Sequence, residues 1–287
     1  MKILATCATG RIGTALVPAL IEAGHDVTLL SRSADKVRAI SDRASAVEGS
    51  MTDYSSMVQA LEGIDALILI GTGEMELVGN LITVDAAQKS PTVEHIVYIG
   101  GQSPDLMLGV PTVAPKSLTE EVLRRGGKTA TLLRPSTFMQ IDYEFADAIK
   151  AGFYPAPFGD AGVARVDLKD VSAAVVTVLG NPHANGNTYT LCGPENLSGS
   201  RIAETWSIGL GREVRYAPLS LDDFEAFVGT VESKALAHSL RRQYEYYQAG
   251  VLVATPEELD QFTQLLGYPP RRFEHFVLET AASWAES

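Results

Sequence analysis

From residue 2 to residue 134 the chain alternates short, β-branched apolar runs with longer segments whose apolar residues recur at helical spacing. Each run, helix and second run reads as a βαβ unit, and successive units build a parallel sheet. Strands are expected at residues 3–6, 27–30, 44–47, 66–70, 95–99 and 130–133, with helices at 12–23, 55–61, 77–88 and 116–125. The run ALILI at 66–70 is apolar at every position, as a strand covered on both faces must be. The expected fold class is therefore α/β, a doubly wound parallel sheet of the Rossmann type.

After Arg134 the rhythm changes. FYPAPFGDAG carries prolines and glycines, RVDLKDVSAAVVTVL resumes a strand and a helix, and NTYTLCGPENLS reads as another strand leading into a helix. Residues 200–287 are mostly helical, with one strand expected at 213–216. No Gly/Ser-rich linker separates two independent domains. The expected organisation is one discontinuous unit. A dinucleotide-binding core of residues 1–150 is continued by 163–194, and a smaller, mostly helical lobe of 151–162 and 195–287 covers the sheet's carboxyl edge and the substrate.

Composition removes several classes of function. The net charge is −12 and Lys and Arg form no run, so the electrostatic footprint of a nucleic-acid binder is missing. The apolar run at 66–70 is far short of the ~20 residues that span a bilayer. Glycines and Arg11 interrupt the first apolar run too early for an export signal. Cys7 and Cys192 form no CxxC pattern and the five histidines no spaced metal pair, which argues against a zinc site and for a reducing, cytoplasmic setting. The expected partner is a small-molecule substrate, with no metal, nucleic acid or membrane, and a monomer or homodimer as the assembly.

The first expected strand runs into Cys7-Ala8-Thr9-Gly10-Arg11-Ile12-Gly13 and then a helix. In that context Gly10 allows the backbone to approach a pyrophosphate, Gly13 allows the helix to pack on the strand, and the helix N-terminus favours the anion. The second strand ends Leu30-Ser31-Arg32, where NAD-specific folds place an acid for the ribose hydroxyls. Arg32 can instead grip a 2′-phosphate, and Lys36 adds a second positive charge one turn later. The expected cofactor is NADP(H).

Along most of its length the chain resembles the NmrA-like branch of the atypical short-chain dehydrogenase/reductases. The resemblance is carried by ATCATGRIG, LSRSADK, VEGSMTD, LLRPSTFMQ, VDLKDVSAAVVTVL and GNTYTLCGPENLS. It implies cofactor contacts at Cys7, Thr9, Gly10, Arg11, Ile12 and Gly13, and at Arg32 and Lys36. It further implies Ser50 and Met51 beside the adenine, Gly71 and Thr72 near the ribose, Lys116 at the nicotinamide ribose, and Pro135 and Phe138 around the nicotinamide. Gly101, Phe138 and Met139 are the implied substrate pocket.

Two departures qualify the resemblance. Cys7 stands where the family has its first glycine; a buried small hydrophobe is the ordinary role of such a cysteine and a reactive thiol the less expected one. The wider superfamily's catalytic Ser and Tyr positions hold Gly101 and Thr112, leaving Lys116 as the remaining catalytic candidate. Threonine has no phenolic acidity, so a tyrosine-based proton donation is not expected. The sequence points first to an NADPH-dependent reductase of a ketone or quinone, with a bulky or polycyclic substrate and proton supply from substrate or water. A dinucleotide-binding redox sensor and a non-redox lyase or isomerase are the other readings. Phe224, Phe227, Tyr244, Tyr246, Tyr247 and Phe262 are expected mainly as lobe core, and Asp170 as a helix cap before VSAAVV.

Overall fold

The computed structural model describes residues 1–71, 73 and 75–285. Two compact units account for them. The first comprises residues 1–104, 112–134 and 171–189, the second 105–111, 135–170 and 190–287.

The strands are β1 (Lys2–Ala5), β2 (Asp26–Ser31), β3 (Ser45–Glu48), β4 (Ala66–Ile70), β5 (His95–Ile99) and β6 (Thr129–Pro135), all close to the expected positions. Between them lie α1 (Arg11–Glu22), α2 (Ala34–Arg38), α3 (Tyr54–Ala60), α4 (Glu76–Lys89) and α5 (Ala114–Arg125). Later come β7 (Thr137–Phe138), α6 (Ala146–Lys150), β8 (Phe153–Tyr154), β9 (Val163–Val166), α7 (Leu168–Gly180) and β10 (Thr188–Leu191). The large sheet runs β10-β6-β5-β4-β1-β2-β3, the doubly wound order in which β1 and β4 flank the reversal of winding. Register is parallel, for example Ile3 opposite Val27 on one side and Ala66 on the other. Leu67 and Leu69 turn to one face with Met57, Val84 and Leu123 from the covering helices, which is why ALILI contains no polar position.

Past the ends of β1 and β4 a side chain takes over the ladder. Thr6 Oγ1 donates to the Ile70 carbonyl at 2.8 Å and accepts from the Ile70 N–H at 2.9 Å. Backbone groups that would be orphaned as the strands diverge are thereby satisfied.

The second unit continues with β11 (Asn196–Leu197), α8 (Gly199–Leu210), β12 (Arg215–Tyr216), α9 (Leu221–Val228), α10 (Lys234–Gln248), α11 (Pro256–Leu266) and α12 (Phe273–Ala285). It is mostly helical, as the pattern required. Phe224, Tyr244, Tyr247 and Phe262 are buried in its core, whereas Phe227 is exposed. The strand expected at 213–216 is limited to its last two residues because its partner, β8, is itself two residues long.

Residues 135–150, grouped by the sequence with the core, belong to the second unit. A buried guanidinium explains the placement. Arg165 Nη2 donates to the carbonyls of Phe138 and Met139, both at 3.0 Å, and to Asp142 Oδ1 at 2.9 Å. The cap of α7 is likewise one turn earlier than the sequence reading put it. Asp167 Oδ1 accepts from the Lys169 N–H at 3.0 Å, while Asp170 accepts the backbone N–H of Arg271 at 2.7 Å.

Candidate functional site: a cleft beyond the ends of β1, β2 and β4

A cleft of about 520 Å³ opens in the first unit, lined by residues that include Cys7, Thr9, Gly10, Arg32, Lys36, Ser50, Met51 and Gly71. These eight come from four separate stretches of sequence, and the sheet order brings them together.

Its floor is the turn between β1 and α1. Gly10 is the N-cap of α1 and no side chain caps the helix, whose first turn also contains no acid. An uncapped, acid-free helix N-terminus is suited to an anion. Gly13 lies in the first turn of the helix, where a Cβ would fall 1.6 Å from the carbonyl oxygen of Ala8, so the close approach of helix and turn requires glycine. Arg11 and Ile12 belong to the same turn but do not line the cleft. Cys7 has φ of +49°, a left-handed conformation that glycine adopts at no steric cost. Its Sγ lies 3.6 Å from Met51 Sδ. Burial first, and then the negative charge of Glu76, push the Cys7 thiol up, with Arg32 opposing them. The thiolate is therefore disfavoured, although the residue is half-buried and lines the cleft rather than sitting in the core.

Arg32 and Lys36 form one side of the opening. Both are exposed, and neither has an ion-pair partner among the described residues; Asp35 is engaged by Arg38 instead. Beside Arg32 and Lys36, past the end of the neighbouring strand β3, lie Ser50 and Met51. Asp53 caps α3 by accepting from the N–H groups of Ser55 and Ser56, and Ser56 Oγ accepts from the Ser50 N–H at 3.1 Å, which fixes the loop. Gly71, just past β4, also lines the cleft; a Cβ there would lie 2.4 Å from Asn80 Oδ1 and 2.6 Å from Glu76 Cγ. Thr72 lies outside the described residues.

Lys116 is not itself in the lining, but its Nζ is 2.7 Å from Glu76 Oε1, and Glu76 is. Gly101 lies against the lysine, since a Cβ there would be 3.3 Å from Lys116 Cδ. Thr112 is half-buried in the turn before α5. Pro135, Phe138 and Met139 fall in the second unit, where Pro135 ends β6, Phe138 is half-buried and Met139 is buried. Glu76 was missed by the sequence reading. A glutamate in the first turn of a helix is common enough to carry no signal of its own.

A doubly wound parallel sheet with a cleft beyond the carboxyl ends of its central strands defines the dinucleotide-binding class of folds. Within that class the chain belongs to the NmrA-like family, whose sequence model matches residues 1–276. An NAD(P)H azoreductase of Xenophilus azovorans is 28% identical over 291 residues, covering 98% of this chain and 99% of the relative. A (4-alkanoyl-5-oxo-2,5-dihydrofuran-3-yl)methyl phosphate reductase of Streptomyces griseus is 27% identical over 285 residues, covering 99% of each. Among solved structures, an NADPH-dependent quinone oxidoreductase of Escherichia coli complexed with NADPH superimposes with a TM-score of 0.84 at 23% identity, covering 99% of both chains. That likeness concerns the fold. Among the described residues no helix is long and apolar enough to cross a membrane.

Proposed function

We propose that this chain is an NADPH-dependent reductase of ketones or quinones, with a bulky or polycyclic acceptor, and that it works without a Ser-Tyr-Lys triad. The observation that carries the reading is the charge arrangement of the cleft. An uncapped helix N-terminus lies at its floor and two cations without acidic partners among the described residues, Arg32 and Lys36, stand at one side. A pyrophosphate and a 2′-phosphate need those two features. The relatives' names, an NAD(P)H azoreductase and a furanone phosphate reductase, support reduction as the chemistry.

Bound NADPH supplies the hydride. The protein's part is to hold it: Thr9, Gly10 and the helix N-terminus that Gly10 caps against the pyrophosphate, Arg32 and Lys36 on the 2′-phosphate, Ser50 and Met51 beside the adenine, and Gly71 and Lys116 toward the ribose of the nicotinamide half. Gly101, which lies against Lys116, is assigned to the acceptor. With Gly101 and Thr112 in place of the hydroxyl donors, the proton that completes the alcohol or hydroquinone comes from the acceptor's own acidic hydroxyl or from water.

The test is loss of reduced-cofactor absorbance when the chain is mixed with NADPH and panels of polycyclic ketones, quinones and azo compounds. Turnover with a ketone or quinone is expected. NADPH bound tightly and oxidised by none of them, with a protein that co-purifies, would replace this reading with that of a redox sensor.

A further inference from the structure

We infer that Glu76 is the positioning residue for Lys116, holding its ammonium ready for the ribose on the nicotinamide side of the dinucleotide. The inference rests on the reductase reading for its consequence in turnover, and on the cleft alone for its consequence in binding.

Glu76 is the first residue of α4 and Lys116 lies in the first turn of α5, 40 residues away in sequence. The carboxylate is almost fully buried at 4% exposure, whereas the lysine keeps 17%. The pair is therefore asymmetric: the anion is enclosed and the cation reaches solvent. An ammonium has three N–H donors. Glu76 takes one, and among the described residues Lys116 has no other side-chain partner, so two donors remain for oxygens that arrive with a ligand.

Three features hold the pair in place. The absence of a Cβ at Gly71 leaves the space that Glu76 Cγ occupies, and its absence at Gly101 leaves the path of the lysine stem. One turn further along both helices, Asn80 Nδ2 donates to Thr119 Oγ1 at 3.2 Å, and Thr119 donates to the Pro115 carbonyl at 2.8 Å. Two links at matching heights lock α4 to α5, so the ammonium rides on rigid elements although lysine is a flexible side chain. Lys116 also neutralises a carboxylate that lines a cleft built for phosphates. Without it, Glu76 would face the incoming anion as a bare negative charge.

The experiment is a double-mutant cycle on the full chain. NADPH dissociation constants and thermal midpoints are measured for wild type, Glu76→Gln, Glu76→Leu and Lys116→Met, and for each Glu76 variant combined with Lys116→Met. The amide of Gln still accepts from the ammonium and Leu does not. Binding is expected to weaken by roughly threefold with Gln and roughly tenfold with Leu, both losses shrinking below about twofold once Lys116 is Met. Turnover with 1,4-naphthoquinone should follow the same order in kcat. Losses of equal size in both backgrounds, or tighter NADPH binding by Glu76→Leu, would overturn the inference. If Glu76→Leu does not fold, the Gln arm runs the same cycle. A wild type that binds NADPH but reduces no acceptor defeats the reductase reading, while the cycle in binding still decides the role of Glu76.

Discussion

Glu76 with Lys116 in the first unit and Asp142 with Arg165 in the second are each a buried carboxylate paired with a cation, and the two pairs are built in opposite ways. In the second unit both oxygens of Asp142 are doubly engaged. Oδ1 accepts from the Tyr154 hydroxyl at 2.8 Å and from Arg165 Nη2 at 2.9 Å, and Oδ2 from Trp206 Nε1 at 2.7 Å and Arg165 Nη1 at 3.1 Å. Arg165 adds two carbonyl acceptors and lies over the Phe273 ring at 4.8 Å, and neither charged side chain reaches solvent. In the first unit Glu76 has one cationic partner and Lys116 has donors to spare. A buried carboxylate with both oxygens engaged has nothing left to offer a ligand and much to lose on disruption; a cation with free donors near a cleft is the reverse.

The largest expected effect follows from that contrast. Arg165→Met leaves Asp142 buried without its cation, and urea denaturation should show a loss of about 3–5 kcal/mol, against less than about 2 kcal/mol for Lys116→Met beside an open cleft. Equal losses at the two sites would break the comparison. The next effect is on the cleft side alone. Arg32→Ala removes a charge-assisted contact to the 2′-phosphate and should weaken NADPH by roughly 10- to 100-fold while leaving NADH nearly unchanged. A titration in which both dinucleotides lose affinity alike would sink the phosphate assignment of Arg32.

A third carboxylate sharpens what burial does when no cation saturates it. Asp170 is buried, and burial is the main reason its carboxyl is pushed up to about 6; the charge of Asp167 adds to this, and the backbone N–H and charge of Arg271, with Lys169, oppose it. In the unfolded chain the same group titrates near about 3.9. Between those values the native state keeps a proton that the unfolded chain has released, so stability falls as pH rises through that window and levels off above it. Asp170→Asn keeps an acceptor for the Arg271 N–H and should flatten this part of the stability profile. A slope that survives the substitution would assign it to other groups.

How much of this was readable beforehand depends on whether the cause was local. The strands were legible because full burial makes them uniformly apolar, and the β1 turn because glycine, helix start and preceding strand lie side by side. Five-residue α2 shows too little periodicity to be seen. Contacts across sequence were invisible. Nothing in the run of residues tells that Glu76 meets Lys116, or that Arg165 draws the backbone at 138–139 out of the core unit. The cap of α7 was misplaced for the same reason. Two aspartates three apart both suit a helix start, and only the long-range hold of Arg271 on Asp170 separates them.

Cys7 gives the smallest effect and the finest test of how the cleft is made. At φ of +49° its Cβ is strained, and the turn still places Thr9 and Gly10 on the floor of the cleft, so the strain is accommodated rather than avoided. Glycine would remove a steric cost of roughly 1 kcal/mol, but it adds freedom to the unfolded chain of nearly the same size. Cys7→Gly should therefore change the thermal midpoint by about 1–3 °C at most and leave NADPH affinity within about twofold. Cys7→Val should do worse on both counts, because a β-branched residue is a genuine outlier at positive φ. If Val binds NADPH as well as Cys does, the turn relaxes out of the left-handed conformation when the ligand arrives. The cleft floor would then be less preorganised than the lysine beside it.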